Sequence, residues 1–281
     1  MKIDTLLYPT DFSSSAEMAL DFAVFLAKRY RAVLALLHVN EFSSLIDPNN
    51  AYGYRGSYQL KDEVEKVAKE KLRKLGTKIE KKVKVKTFYA EGAAYDQIVR
   101  LAEKEKIGLI VMGTRGRSFL SDYYMGSTAE RVMALTKCPA LTVHGKFKEP
   151  PFKKILLFYD FSEVSQLTFP KVHAMAKDFE SEIILCHPAE MATEERLVAL
   201  SKFLEGFDLR GTVISKRSYA EADGYGGIVQ CAGIENADLI VFGKDSRVGR
   251  RHVFLEGISE EIIRYANQPV WILPTQQQTI T

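Results

Sequence analysis

Residues 108–132 read Gly-Leu-Ile-Val-Met-Gly-Thr-Arg-Gly-Arg-Ser-Phe-Leu-Ser-Asp-Tyr-Tyr-Met-Gly-Ser-Thr-Ala-Glu-Arg-Val. The first five, Gly108 to Met112, carry a continuous apolar run that reads as a buried strand. The last six, from Ser127 and Thr128 onward, read as a helix start with hydroxyls at the cap. Between them stand Gly113, Gly116 and Gly126, in the spacing G-x2-G-x9-G. A glycine-bearing loop from a strand into a helix N-terminus aims backbone N–H groups and the positive end of a helix dipole at an anion. A nucleotide phosphate is the natural ligand, although the same residues taken alone also fit an ordinary surface turn. Two other phosphate loops are excluded by spacing: there is no G-x-x-x-x-G-K-[ST], and no G-x-G-x-x-G follows the first strand.

Outward from this stretch, the chain repeats itself. Leu6-Leu7-Tyr8-Pro9-Thr10-Asp11-Phe12-Ser13 returns as Ile155-Leu156-Leu157-Phe158-Tyr159-Asp160-Phe161-Ser162, and His38 returns as His187, both 149 residues on. Tyr89-Ala90-Glu91 returns as Tyr219-Ala220-Glu221, Gly113 as Gly243 and Pro139 as Pro269, each 130 residues on. The second copy is therefore 19 residues shorter between its second and third strands. The pattern predicts strands near 4–10, 33–39, 84–90, 108–113 and 139–144, and helices near 14–29, 60–81, 94–105 and 127–136. Ser14 and Glu17 fit a capping box for the first helix. In the second copy the strands are expected near 154–160, 182–188, 211–218, 238–243 and 269–273. Strands apolar on both faces and separated by helices imply an α/β fold with a parallel sheet covered on both sides. The expected domains are residues 1–145 and 154–281, with 146–153, including Pro150-Pro151, as the linker.

A net charge of +3 over 281 residues is too mild to argue for a nucleic-acid surface. The basic stretch 61–86 has a simpler reading. Val64, Val67, Ala68, Leu72, Leu75 and Ile79 recur at helical spacing, and Asp62–Lys66, Glu65–Lys69 and Glu70–Lys74 are spaced as i,i+4 pairs on a solvated face. Cys138, Cys186 and Cys231 lie far apart with no CxxC, which suggests neither a zinc site nor a disulfide framework. Neither a signal-peptide core nor an apolar run of membrane-spanning length is present, so a cytoplasmic protein is expected. His38 and His187 lack the neighbours of a metal site and read as structural. No G-x-S-x-G elbow or paired-His metalloprotease motif occurs.

The pattern G-x2-G-x9-G-[ST], with Asp11 closing the first strand, resembles the ATP-binding motif of the universal stress protein family. The likeness extends to Asp11-Phe12-Ser13, to a second strand, Val33–Val39, ending in His-Val, and to Cys138-Pro139-Ala140-Leu141-Thr142-Val143 after the last helix. It implies two tandem Rossmann-like domains of the adenine nucleotide alpha hydrolase-like kind, each a five-stranded parallel sheet in the order 3-2-1-4-5. It also implies that Asp11 approaches the nucleoside and the Val39 backbone reads the adenine edge. Gly113, Gly116, Gly126, Ser127 and Thr128 would hold the ribose and phosphates of ATP or another adenine nucleotide, with Mg as an optional companion. Asp11 by itself fits a turn or helix-capping role equally well. The resemblance further implies that the strands ending each copy pair within one chain as a pseudo-dimer with Trp271 buried, leaving a homodimer of whole chains open. The implied role is a stress-response regulator acting on a protein partner.

The second copy departs from the motif. Pro188 stands where Val39 stands and has no N–H to donate. Gly116 maps to Ser246, with Gly249 displaced. Gly257 aligns with Gly126 only after one extra residue, Ile258 replaces the first hydroxyl, and Glu256 would repel a phosphate. This reads as a degenerate site, with Lys244, Arg247, Arg250 and Arg251 forming either a site for another anion or a solvated loop. Three functions stay open: an ATP-binding regulator; a slow ATPase or phosphotransferase, for which Arg115 and Asp122 lie in the loop but no general base or metal-holding carboxylate is identified by spacing; and a scaffold without nucleotide. The loop bearing Tyr52, Tyr54 and Tyr58 could cover a base, meet a partner or do neither.

Overall fold

The computed structural model describes residues 2–41, 54–113, 127–143, 151–220, 224–245, 262 and 265–275; the side chains of 54–60, 127, 224 and 225 lie outside the description. The chain divides into two compact units, Lys2–Val143 and His144–Thr281.

In the first unit, β1 (Thr5–Pro9) leads to α1 (Ser14–Tyr30), β2 (Val33–Asn40), α2 (Tyr54–Glu80), β3 (Val85–Glu91), α3 (Ala94–Lys104), β4 (Leu109–Gly113), α4 (Ser127–Leu135) and β5 (Ala140–Val143). The strands lie in the order β3-β2-β1-β4-β5. All their pairings are parallel, with Thr5 opposite Val33, Leu34 opposite Val85, Leu6 opposite Leu109 and Ile110 opposite Ala140. Leu6, Leu7, Leu34, Leu36, Leu109, Ile110 and Val111 are fully buried, as expected of central strands covered on both faces.

Helix α1 corrects the expected cap. Its N-cap is Ser13, whose hydroxyl accepts from the Ala16 N–H at 3.2 Å; Ser14 is already the first helical residue. The reason lies one turn earlier. Phe12 sits in the left-handed region at φ 61°, and the Asp11 carboxylate accepts from the Ser13 N–H at 2.9 Å, so the chain finishes its turn at Ser13. The helix ends at Arg31, also left-handed at φ 54°, whose N–H returns to the carbonyls of Ala27 and Lys28.

Helix α2 begins earlier than the apolar pattern indicates and buries Ala68, Leu72 and Ile79 against the sheet. Val67 departs from the expected stripe and is 54 % exposed, because the helix turns its Ala68 side inward. Glu65–Lys69 and Glu70–Lys74 pair as their spacing indicates, and Arg73 joins Glu70 at 2.8 Å, holding its carboxyl at about 2. These exposed pairs add little stability.

The second unit repeats the scheme: β6 (Lys154–Phe158), α5 (Glu163–Phe179), β7 (Glu182–Pro188), α6 (Glu194–Glu205), β8 (Ile214–Tyr219), α7 (Gly224–Ile234), β9 (Leu239–Asp245) and β10 (Val270–Thr275). Its strands run β8-β7-β6-β9-β10, again all parallel. The 12-residue α6 stands where the first unit has the 27-residue α2, which is where the sequence places the deletion. Trp271 is fully buried in β10, 6.3 Å from the Phe152 ring.

Candidate functional site

Strand order positions the site. From β1 the chain crosses to β2 on one side, while β4 lies on the other, so a topological switch falls between β1 and β4. Open α/β sheets receive ligands outside the carboxyl ends of the strands at such a point. Val39 and Gly113 stand at these ends in β2 and β4, and Asp11 lies in the turn just past the end of β1.

The turn after β1 is held from several directions. The Thr10 N–H donates to Leu37 O at 2.8 Å, and the Thr10 hydroxyl accepts from the Phe12 N–H at 3.0 Å. His38 Nδ1 donates to Thr10 O at 2.8 Å, and its ring stacks on Phe12 at 4.6 Å. His38 thus braces the turn, as its structural reading requires. One Asp11 oxygen serves the turn through Ser13, so the turn role raised for this residue is present.

The hydrogen-bond alternation of β2 fixes the direction of Val39. Val33 donates to Asp4 O and Leu37 accepts from Thr10, so odd residues face β1. Leu34 donates to Lys84 O and Asn40 accepts from Gly92, so even residues face β3. Val39 is odd and lies beyond Leu37, the last residue of β2 in register with β1. Its backbone N–H and C=O therefore point into the crevice outside the end of β1. Beside it, Asn40 Nδ2 donates to the Tyr89 hydroxyl at 3.0 Å, Lys69 lies over the Tyr89 ring at 4.9 Å, and burial pushes the Tyr89 phenol up. Glu41 accepts from the Ala94 N–H at 2.8 Å and supplies the cap that Ala93 cannot give α3.

Gly113 ends β4 in close contact with α1. A β-carbon there would lie 2.6 Å from the Ser15 carbonyl oxygen. Ser127 and Thr128 open α4, which is anchored through buried Ala129, Val132 and Met133. Gly116 and Gly126 lie outside the described residues, as do Arg115, Asp122, Tyr52 and the Asp47–Gly53 part of the tyrosine loop; Tyr54 and Tyr58 belong to α2.

In the second unit the equivalent carboxylate is engaged differently. Asp160 Oδ1 accepts from the Ser162 N–H at 3.1 Å and from the hydroxyls of Ser162 and Ser165, both at 2.5 Å. Ser165 stands where the first copy has Ala16, 149 residues earlier. Tyr159 N donates to Cys186 O, repeating the Thr10–Leu37 bond, so Pro188 occupies the crevice-facing position of Val39 without an N–H. Lys244 lies in β9; Ser246, Arg247, Gly249, Arg250, Arg251, Glu256, Gly257 and Ile258 lie outside the described residues. Among the described residues no group of His, Cys, Asp and Glu could hold a metal ion, and no helix is long and apolar enough to cross a membrane.

Sequence reasoning missed the Asn40–Tyr89 bond and the Glu41 cap. Tyr89 was visible only as a repeated residue, and a cap supplied from 53 positions away leaves no local signature. The Ser165–Asp160 bond had a signal, the Ala16/Ser165 difference between the copies.

The universal stress protein family model matches the chain twice, over residues 2–144 and 151–274. The universal stress protein MJ0531 of Methanocaldococcus jannaschii is 35% identical over 146 residues, spanning 51% of this chain and 84% of the relative. The universal stress protein YxiE of Bacillus subtilis is 33% identical over 144 residues, 49% of this chain and 97% of the relative. In fold, the chain is similar to a universal stress protein from Archaeoglobus fulgidus, with a TM-score of 0.76 at 21% identity over 98% of this chain and 99% of that one. Two successive matches to one family model coincide with the two repeats of strand order, and the chain belongs to the universal stress protein family as a member with two tandem domains.

Proposed function

We propose that the first unit, taken as residues 1–145, binds an adenine nucleotide, with ATP as the reference ligand, and that the second does not. The observation that carries this reading is the Val39 backbone, which faces the crevice at the switch point with both a donor and an acceptor, the pair that an adenine edge requires. Its counterpart, Pro188, has lost the donor. Gly113 at the end of β4 packs closely on α1, a feature that Gly243 repeats in the second unit and that therefore belongs to the shared fold. Ser127 and Thr128 begin α4, and its N-terminal amides are suited to phosphate. Asp11 would meet the nucleoside, and Gly116 and Gly126 would let the loop approach the phosphates, with Mg bound alongside them to offset their charge.

In the second unit the Asp160 oxygen that corresponds to the turn-forming oxygen of Asp11 also holds two hydroxyls, which turns the residue toward its own turn. The nucleotide would act as a regulatory ligand of the first unit, with the second as a supporting copy.

Calorimetric titration of the full chain with Mg-ATP tests this reading. One nucleotide per chain is expected, with affinity lost in Gly126→Val and reduced less in Ser127→Ala, while circular dichroism is unchanged. A stoichiometry of two, or parental affinity in both variants, overturns it.

A further inference from the structure

Val39 lies past the last β2 residue in register with β1, so no strand on the crevice side holds its backbone in place. Its two neighbours are tied instead, in opposite directions. His38 Nδ1 donates to Thr10 O at 2.8 Å on the β1 side. Asn40, only 5% exposed, donates from Nδ2 to the Tyr89 hydroxyl at 3.0 Å on the β3 side, and its carbonyl accepts from the Gly92 N–H at 3.1 Å. Tyr89 pairs with His38 in the β2–β3 register, so the two side chains share one face of the sheet. Their ring centroids are 6.3 Å apart, and Lys69 of α2 covers the Tyr89 ring. Turning the Val39 peptide would strain these bonds and leave a buried polar group without its partner.

The second unit lacks this arrangement although it keeps the tyrosine. Tyr219 is the sequence counterpart of Tyr89, 130 residues on, and His187 that of His38, 149 residues on. Yet His187 pairs with Ser218, and Tyr219 pairs with Pro188. The β7–β8 register is thus displaced by one residue from that of β2–β3, and a displacement of one moves a side chain to the opposite face. Tyr219 accordingly packs on α7, its ring 2.3 Å from where a β-carbon on Gly227 would stand; the first unit has Gln97 at that position. Ala189 replaces Asn40, and His187 Nδ1 donates to Pro188 O at 3.2 Å, engaging the carbonyl that corresponds to that of Val39. The backbone donor at Val39, the Asn40 amide and a tyrosine on the histidine's face occur together in one copy and are lost together in the other.

We propose that Asn40 and Tyr89 are positioning residues for base selection in the first unit: their hydrogen bond holds the Val39 peptide at the angle that accepts an adenine and rejects a 6-oxopurine. This rests on the nucleotide reading above. Adenine offers an acceptor at N1 and a donor at its exocyclic amine, which match the Val39 N–H and C=O. A 6-oxopurine offers N1–H and O6 instead, so the same peptide sets donor against donor and acceptor against acceptor. A loosely held peptide would yield to the mismatched base and let it bind through ribose and phosphates, so the discrimination depends on a rigid Val39.

The test titrates the full chain with Mg-ATP and with Mg-ITP, whose base is a 6-oxopurine on the same ribose and phosphates. The unmutated chain should prefer ATP. Tyr89→Phe keeps the ring and removes only the hydroxyl, while Asn40→Ala removes the amide and matches Ala189 of the second copy. Each should weaken ATP binding roughly 3- to 10-fold, the scale of one hydrogen bond, and leave ITP within about 2-fold, so that the ATP-over-ITP ratio falls. The double variant should be no worse than the weaker-binding single variant, because both remove the same bond. Equal losses for the two nucleotides, as a general loosening of the unit would give, overturn the proposal. So does an unchanged ratio in either single variant, a double variant whose losses add, or an unmutated chain that binds ATP without preferring it. An unmutated chain that binds neither nucleotide removes the nucleotide reading and the positioning role with it, whereas parental ATP binding in the variants removes the positioning role alone. The two single variants reach one bond from separate strands, so failure of one to fold leaves the other as the measurement.

Discussion

A β-carbon on Gly113 would stand 2.6 Å from both the carbonyl oxygen and the hydroxyl of Ser15 and 2.8 Å from its carbonyl carbon, so backbone still limits this residue once the hydroxyl is removed. At the equivalent Gly243 the nearest atoms are side-chain ones, Thr168 Oγ1 at 2.1 Å and Val164 Cγ1 at 2.7 Å. Gly113→Ala should therefore destabilise the chain by about 1–3 kcal/mol, with no recovery when Ser15→Ala is added. Gly243→Ala should cost a similar amount and be partly rescued by Thr168→Ala combined with Val164→Ala. Chemical denaturation of the single and combined variants measures both.

Val39→Pro makes the first crevice resemble the second. Since the Val39 N–H faces away from β3, the change removes no bond of the β2–β3 ladder, and β7 already accommodates Pro188 at φ −60°. Melting temperature should move little. Affinity for ATP should fall roughly 5- to 150-fold, the equivalent of about 1–3 kcal/mol for a buried donor lost. Asp160→Asn should leave ATP binding at its parental value, whereas Asp11→Asn should weaken it. Parallel titrations of the three variants provide the comparison.

The two serines at the start of α1 separate cleanly. Ser13→Ala removes the hydroxyl that accepts from Ala16 and should cost about 1 kcal/mol, while Ser14→Ala at an exposed first-turn position should stay within about 0.5 kcal/mol of the parent. Equal effects in urea denaturation would return the cap to Ser14.

His173 predicts an acid-sensitive second unit. It is buried with its ring parallel to Phe169 at 5.9 Å, and Nε2 finds no partner among the described residues. Burial, with help from Lys177, lowers its pKa from 6.5, against an opposing contribution from Asp208. The unfolded chain therefore binds the proton more readily, so the stabilising contribution is complete above pH 6.5 and is lost as pH falls toward the folded value. His173→Phe should flatten the slope of stability against pH over the range below about 6.5, with little change at pH 8. An unchanged slope in denaturation curves across that range would assign the acid sensitivity elsewhere.

Much of the architecture was legible because central strands of a parallel sheet are apolar on both faces, and Leu109–Met112 and Leu239–Phe242 show this without tertiary information. The repeat then gave the unit count, since Asp11 and Asp160 share a local context. Strand order was not legible from residues: nothing in Val33–Asn40 says that it lies between β1 and β3, and the order rested on a family likeness. The Ser14 cap failed because the pattern S-x-x-E also describes Ser14 and Glu17, while the left-handed Phe12 places the turn's end at Ser13. At the site, residue identities could be proposed from the glycine spacing, but the direction of the Val39 amide depends on alternation across three strands. The engagement of Asp160 by Ser165 required the two copies to be compared position by position.

Trp271, the only tryptophan among 281 residues, belongs to the second copy and is fully buried. Selective excitation of indole emission thus illuminates one copy of a duplicated fold, where most spectroscopic signals would average the two. A red shift on heating or in denaturant marks the melting of that copy, and any earlier transition seen by circular dichroism alone belongs to the other. The order in which the copies unfold can therefore be determined in the intact chain, without cutting it or attaching a dye.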